Sequence, residues 1–142
     1  MSQLRFIDAS VFLYAFLKPK KVLSKNMLEL KENAKRILTR INEGEDVITT
    51  VVHLSEIANI LETRTSKVKS AEYIEAILSK QTIHVYDVDV ASYAEAVLKA
   101  KEEGLGVNDA LALIFMEKLG ISEIYSFDKD FDKIKWVKRI WK

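Results

Sequence analysis

A single α/β domain, with a mostly parallel sheet between two layers of helices (a three-layer α/β/α sandwich), is the fold class this 142-residue sequence predicts. Three observations lead there. Short β-branched or apolar runs alternate with long helical stretches, the pattern of strands joined by helical crossovers. With 49% hydrophobic residues, four Gly and one Pro, the chain is neither disordered nor linker-rich. No repeat, low-complexity stretch or internal boundary interrupts it, so residues 1–142 read as one domain.

Leu4–Ile7 is a first short strand, ended by Asp8. Val11–Leu17 reads as a buried helix, and Ser24–Glu43 as a long amphipathic one with Leu28, Ala34, Ile37, Leu38 and Ile41 on one stripe. Gly44 closes it. Val47–Val52, β-branched throughout, is the second strand. From His53 the period changes, and Leu54, Ile57, Ile60 and Leu61 recur at helical spacing. Ser66 caps a further helix to about Lys80, with Val68, Ala71, Ile74 and Leu78 expected inward. Thr82–Val88 is a third strand and Val90–Glu103 a helix stopped by Gly104-Leu105-Gly106. Asn108–Leu119, apolar almost all round, is a deeply buried helix ended by Gly120. Glu123–Phe127 is a fourth strand, and Lys135–Trp141 supplies a short edge strand.

Composition removes several classes of function. Without Cys there is no disulfide scaffold, zinc–cysteine site or thiol nucleophile. The longest apolar runs, Val11–Leu17 and Ala110–Met116, have seven residues each, against about 20 for a membrane span. Asp8 before the first run and Lys18-Pro19-Lys20-Lys21 after it argue against a signal peptide, so a soluble cytoplasmic protein is expected. The net charge of +1 does not mark a polyanion binder. Locally, Lys18–Glu45 carries +4 and Asp128–Lys142 carries +3. No P-loop, dinucleotide fingerprint or Gly-x-Ser-x-Gly elbow occurs.

Four acids fall where a core has no use for them. Ligands of open α/β sheets bind beyond the carboxyl ends of the strands, and Asp8 and Asp128 each follow a predicted strand. Asp109 opens the apolar helix, and Glu56 interrupts the apolar surroundings of Leu54 and Ile57. Each has an ordinary alternative. Asp8 is placed to cap a helix, Asp109 to complement a helix dipole, Asp128 to serve a turn, and Glu56 to face solvent. Together they make a stronger case. Several carboxylates within a few ångströms repel one another, and a hard divalent cation such as Mg²⁺ or Mn²⁺ relieves that repulsion through oxygen ligands. Such a cation activates phosphoryl centres toward water.

At these residues the chain resembles the PIN-domain family, which includes the VapC-type toxins of toxin–antitoxin pairs. Phe6-Ile7-Asp8-Ala9-Ser10-Val11 is similar to the family's opening strand, and Leu54-Ser55-Glu56-Ile57 to the helix bearing its second acid. Gly106-Val107-Asn108-Asp109-Ala110 is similar to the third motif, and Ser126-Phe127-Asp128-Lys129-Asp130-Phe131 to the closing one. The resemblance implies a PIN-like sandwich and a metal-dependent endoribonuclease using Mg²⁺ (or Mn²⁺) on an RNA substrate. It also implies an antitoxin protein as partner and a homodimer. Asp8 and Asp109 would be the principal metal ligands, Glu56 a ligand or water-positioning base, and Asp128 the holder of a second metal or a water. Ser10 or Ser126 would hydrogen-bond a carboxylate or water, and Asp130 competes with Asp128. A non-catalytic PIN-like module that binds RNA or protein, and a phosphatase with Asp128 as nucleophile, are the other readings.

Of the two histidines, His53 lies three residues before Glu56 but reads as a surface or capping residue. Trp136 and Trp141, set among Lys135, Lys138 and Arg139, read as edge-strand packing ahead of RNA stacking. The basic stretch Lys18–Lys25 is the expected grip on an RNA backbone.

Overall fold

The computed structural model describes residues 4–18 and 24–142. Five strands form one sheet in the order β3-β2-β1-β4-β5: β1 Arg5–Ile7, β2 Val47–Thr50, β3 Ile83–Tyr86, β4 Glu123–Tyr125 and β5 Lys138–Ile140. Every pairing among them is parallel, with Phe6 beside both Ile48 and Ile124. Six helices connect them: α1 Ala9–Phe16, α2 Lys25–Asn42, α3 Val51–Arg64, α4 Lys67–Ser79, α5 Val90–Glu103 and α6 Val107–Leu119.

Alternation along the strands separates two cores. Ile7, Val47 and Tyr125 face one layer and pack with Phe12 of α1, Ile37 of α2, Ile57 of α3 and Ile77 of α4. Phe6, Ile48 and Ile124 face the other and pack with Ala96 of α5 and Leu113 of α6. The chain runs outward from β1 through β2 to β3 with its helices on the first face. It then returns across the sheet to β4 with α5 and α6 on the second. Crossovers of constant hand require that change of face when the direction of travel reverses. The reversal sets a topological switch point beyond the carboxyl ends of β1 and β4, where open α/β sheets hold their ligands.

The helices end where their residues dictate. Gly104 and Gly120 both take φ 68°, a left-handed cap that L side chains disfavour. Ser24 Oγ accepts the Met27 amide and Ser66 Oγ that of Lys69. Several expectations need correction. The third strand ends at Tyr86 and not at Val88, and the fourth at Tyr125 and not at Phe127. The second strand stops at Thr50 and not at Val52, because the Thr50 hydroxyl accepts the His53 amide and starts α3 at Val51. On α2, Leu28 is exposed, since residues 25–29 all lie beyond the layer beneath them. On α4 the inward face is Ser70 and Ile77, buried, with Tyr73 and Ile74 partly so, while Ala71, Val68 (68%) and Leu78 (58%) are exposed. Ser70 explains the rotation: its hydroxyl donates to the Ala58 carbonyl at 2.8 Å and draws α4 against α3. Phe16 then stacks on Tyr73 at 4.5 Å.

A 3-10 turn at Lys129–Lys133, not anticipated, follows β4. Of the basic stretch Lys18–Lys25, residues 19–23 lie outside the described residues. No described helix is long and apolar enough to cross a membrane.

Candidate active site

Asp8 follows β1 directly and occupies the N-cap position of α1, yet its carboxylate caps nothing. Its Oδ2 instead accepts from two hydroxyls, Ser10 Oγ at 2.9 Å and Ser126 Oγ at 2.8 Å. Each serine also accepts an amide from the chain after β4: Phe127 N–H on Ser10 Oγ and Asp128 N–H on Ser126 Oγ. The two hydroxyls thus stitch the end of β1 to the loop bearing Asp128. They fix the orientation of a carboxylate that is only 5% exposed.

Asp109 lies in the first turn of α6. A helix N-terminus favours a negative charge there, but burial opposes it, and Asp8, Asp128 and Glu56 add repulsion. The outcome is a carboxyl group pushed up to about 8. Asp109, Asp128 and Asp130 each offer an oxygen within 4.8 Å of the other two. Asp128 also caps its own 3-10 turn, its Oδ1 accepting the Asp130 amide at 2.9 Å. Glu56 reaches the same groove from α3, its Oε1 accepting from Asn108 Nδ2 at 2.6 Å.

All four sequence-selected acids therefore border the switch point, but the tightest group is not the one the sequence singled out. Asp109 and Asp128 meet with Asp130, while Asp8 and Glu56 stand outside that 4.8 Å cluster. Among the described residues no cation pairs with Asp8, Glu56, Asp109 or Asp128. Only the half-exposed Asp130 has a partner, Lys133 at 3.5 Å.

Two residues at the rim carry more than the sequence suggested. His53 is not a surface residue: it is fully buried and packs edge-on against Phe6. Its Nε2 lies 3.0 Å from the Asn108 carbonyl and its Nδ1 2.7 Å from Thr50 Oγ1. A carbonyl only accepts, so Nε2 carries the proton and Nδ1 accepts from the threonine hydroxyl. Burial pushes the imidazole pKa down, in keeping with that neutral form, and both ring nitrogens are committed. His53 thus ties the start of α3 to the start of α6. Asn108, whose amide holds Glu56 and whose carbonyl holds His53, was missed. Its position one residue before Asp109 was the available signal.

The charged tail serves the fold. Arg139 donates Nε and Nη2 to Asp132 and Nη1 to the Ser126 carbonyl, and its guanidinium lies 4.5 Å from the Trp141 ring. That arrangement braces the turn carrying Asp128 and Asp130.

The crowding has a consequence for stability. The Asp109 carboxyl stays protonated in the folded chain up to about pH 8, whereas the unfolded chain loses that proton near the ordinary carboxylate value of 3.8. The folded state therefore holds more protons between those values, and stability falls as pH rises through the window. Neutral buried His53 acts oppositely, but only below about its unfolded value of 6.5. The metal-free protein is expected to lose melting temperature between pH 6.5 and 8, and Asp109→Asn to flatten that slope. Thermal melts in EDTA across the range check it.

A family model of the PIN domain matches residues 5–137. Among curated proteins none matches the chain. Solved structures share the fold. VapC20 of Mycobacterium tuberculosis, a Sarcin-Ricin loop cleaving toxin, is 22% identical with a TM-score of 0.69, covering 92% of this chain and 93% of its own. VapBC2 from Rickettsia felis, bound to a DNA fragment from their promoter, is 14% identical at 0.66, covering 99% and 100%. A toxin–antitoxin complex from Klebsiella pneumoniae is 14% identical at 0.60, covering 96% of each chain.

Proposed function

The chain belongs to the PIN domain family, and from that premise we propose that it is a metal-dependent endoribonuclease, the toxin of a toxin–antitoxin pair. The observation that carries the reading is the set of carboxylates at the switch point, crowded enough to push the Asp109 carboxyl up to about 8, with no basic partner among the described residues for Asp8, Glu56, Asp109 or Asp128. An all-oxygen donor set of this kind fits Mg²⁺ or Mn²⁺, hard cations that tolerate sparse protein ligation. Asp8, Asp109 and Asp128 would hold the ion, with Asp130 or Glu56 completing the set. The ion supplies neutralisation of the carboxylates and polarisation of a phosphoryl oxygen.

The protein's own residues do the rest. The Ser10 and Ser126 hydroxyls occupy Oδ2 of Asp8, leaving Oδ1 to face a ligand. The Asn108 amide holds Oε1 of Glu56, leaving Oε2 to orient the attacking water and take its proton. Water's oxygen bonds to phosphorus as the phosphodiester P–O bond to the leaving nucleoside breaks, and the leaving oxygen takes a proton from solvent. A cytoplasmic location goes with this reading. A small antitoxin and a homodimeric assembly complete the proposal, the former supported by the toxin–antitoxin complexes that share the fold.

Single-stranded RNA incubated with the protein in Mn²⁺, and in parallel with excess EDTA, tests it. Internal cleavage only in Mn²⁺ is expected. Intact RNA in both would instead favour a binding module that does not cleave.

A further inference from the structure

We propose that the groove between α3 and α5, beside the carboxylates, is a subsite for one unpaired nucleobase next to the scissile phosphate, with Tyr93 stacking on the base and Asn59 reading its edge. The inference deepens the ribonuclease reading and rests on it for the identity of the substrate.

Position comes first. A cavity of ≈ 370 Å³ adjoins the ≈ 440 Å³ groove of Asp109 and Asp128, and both are lined by Glu56 and Asn108. A strand whose phosphate lies at the carboxylates therefore has this second cavity within reach of an adjacent nucleotide. The α3 side is one helical face: Val52, Ser55, Glu56, Asn59 and Ile60 occupy positions i, i+3, i+4, i+7 and i+8. Glu56 and Asn59 thus project from the same stripe, one toward the chemistry and one beyond it.

Lining chemistry selects the ligand. Among the described residues the cavity is lined by no Lys or Arg and borders Glu56, so a phosphate is disfavoured there and a neutral, flat group is not. Val52 and Ile60 give an apolar wall. Tyr93 of α5, 40% exposed, has no aromatic partner among the described residues. An aromatic face of this kind is what unstacked bases of single-stranded RNA use as a platform. Asn108 already spends its amide on Glu56. Among the described hydrogen bonds, the Asn59 side-chain amide and the Ser55 hydroxyl make none, leaving a planar donor–acceptor pair and a hydroxyl for a base edge.

The test separates recognition from cleavage. Binding of fluorescein-labelled single-stranded hexaribonucleotides, one for each base, is measured by anisotropy in EDTA. The same oligonucleotides are then incubated with Mn²⁺. Wild type should rank the four bases. Tyr93→Leu should weaken the preferred one roughly 10- to 100-fold, with Tyr93→Trp restoring it, and Asn59→Asp should change the ranking because it replaces a donor by an acceptor. Equal affinity for all four bases in wild type, or an unchanged ranking and affinity in both Tyr93→Leu and Asn59→Asp, would overturn the subsite. So would conversion of a dimer to a monomer by Tyr93→Leu in sedimentation with base ranking intact, since the groove would then be a contact between copies. Base-ranked binding without cleavage in Mn²⁺ would retain the subsite and remove the ribonuclease reading.

Discussion

Asp109→Asn is expected to cut Mn²⁺-dependent RNA cleavage on the order of 1,000-fold while raising the melting temperature of the metal-free protein. The two effects have one cause. The carboxyl group is partly buried and faces Asp8, Asp128 and Glu56, so its ionised form is held at a cost that pushes its pKa to about 8. An amide of nearly the same shape removes that cost, and metal-free stability gains most at high pH. It also removes a charged ligand from a site whose cation supplies several kcal/mol of transition-state stabilisation, hence the large kinetic loss. Melts in EDTA and cleavage assays in Mn²⁺, on the same preparation, read both. Loss of activity together with loss of stability would mark Asp109 as an ordinary structural residue.

His53→Leu is expected to lower the melting temperature by roughly 5–15 °C and cleavage by about 10- to 100-fold. Leucine removes the ring N–H from the Asn108 carbonyl and orphans the proton of the Thr50 hydroxyl in a fully buried setting, the hydroxyl keeping only the residue-53 amide. Each orphaned group costs about 1–3 kcal/mol, and a chain of this size shifts by about 2–4 °C per kcal/mol. The kinetic loss follows because Asn108 positions Glu56 and precedes Asp109, and supporting partners of a metal site are worth about that factor. His53→Gln, whose amide can still donate toward the Asn108 carbonyl, should recover much of both. Equal damage by Leu and Gln would show that ring packing against Phe6, and not the hydrogen bond, is what matters.

Most of the fold was legible because its elements are locally consistent. The β-branched run at residues 47–50, the glycines at 104 and 120, and the caps at Ser24 and Ser66 all act within a few residues of themselves. One error arose where a distant partner decides and another where a local cap outcompeted β propensity. The α4 face turned because Ser70 seeks a carbonyl on α3, and sequence periodicity had several apolar residues to choose from. Strand β2 ended early because one threonine hydroxyl outweighed two valines.

At the site, the acids stood out as charges beside apolar runs, which made their neighbourhood predictable. Their relative distances were not, since those depend on the 3-10 turn that swings Asp130 toward Asp109. His53 was misread for a related reason. A histidine that the carboxylate site does not need reads as surface until Phe6 of β1 and the Asn108 carbonyl at the start of α6 enclose it. The groove of Asn59 and Tyr93 joins residues 34 apart and has no sequence signature at all.

A crystal soaked in Mn²⁺ and measured at its absorption edge addresses the main claim most directly. An anomalous peak within ligand distance of Asp109 and Asp128, and bordered by Asp8, is the result this account requires. A crystal without such a peak at millimolar Mn²⁺, with those carboxylates turned to separate protein partners or to open solvent, would contradict it.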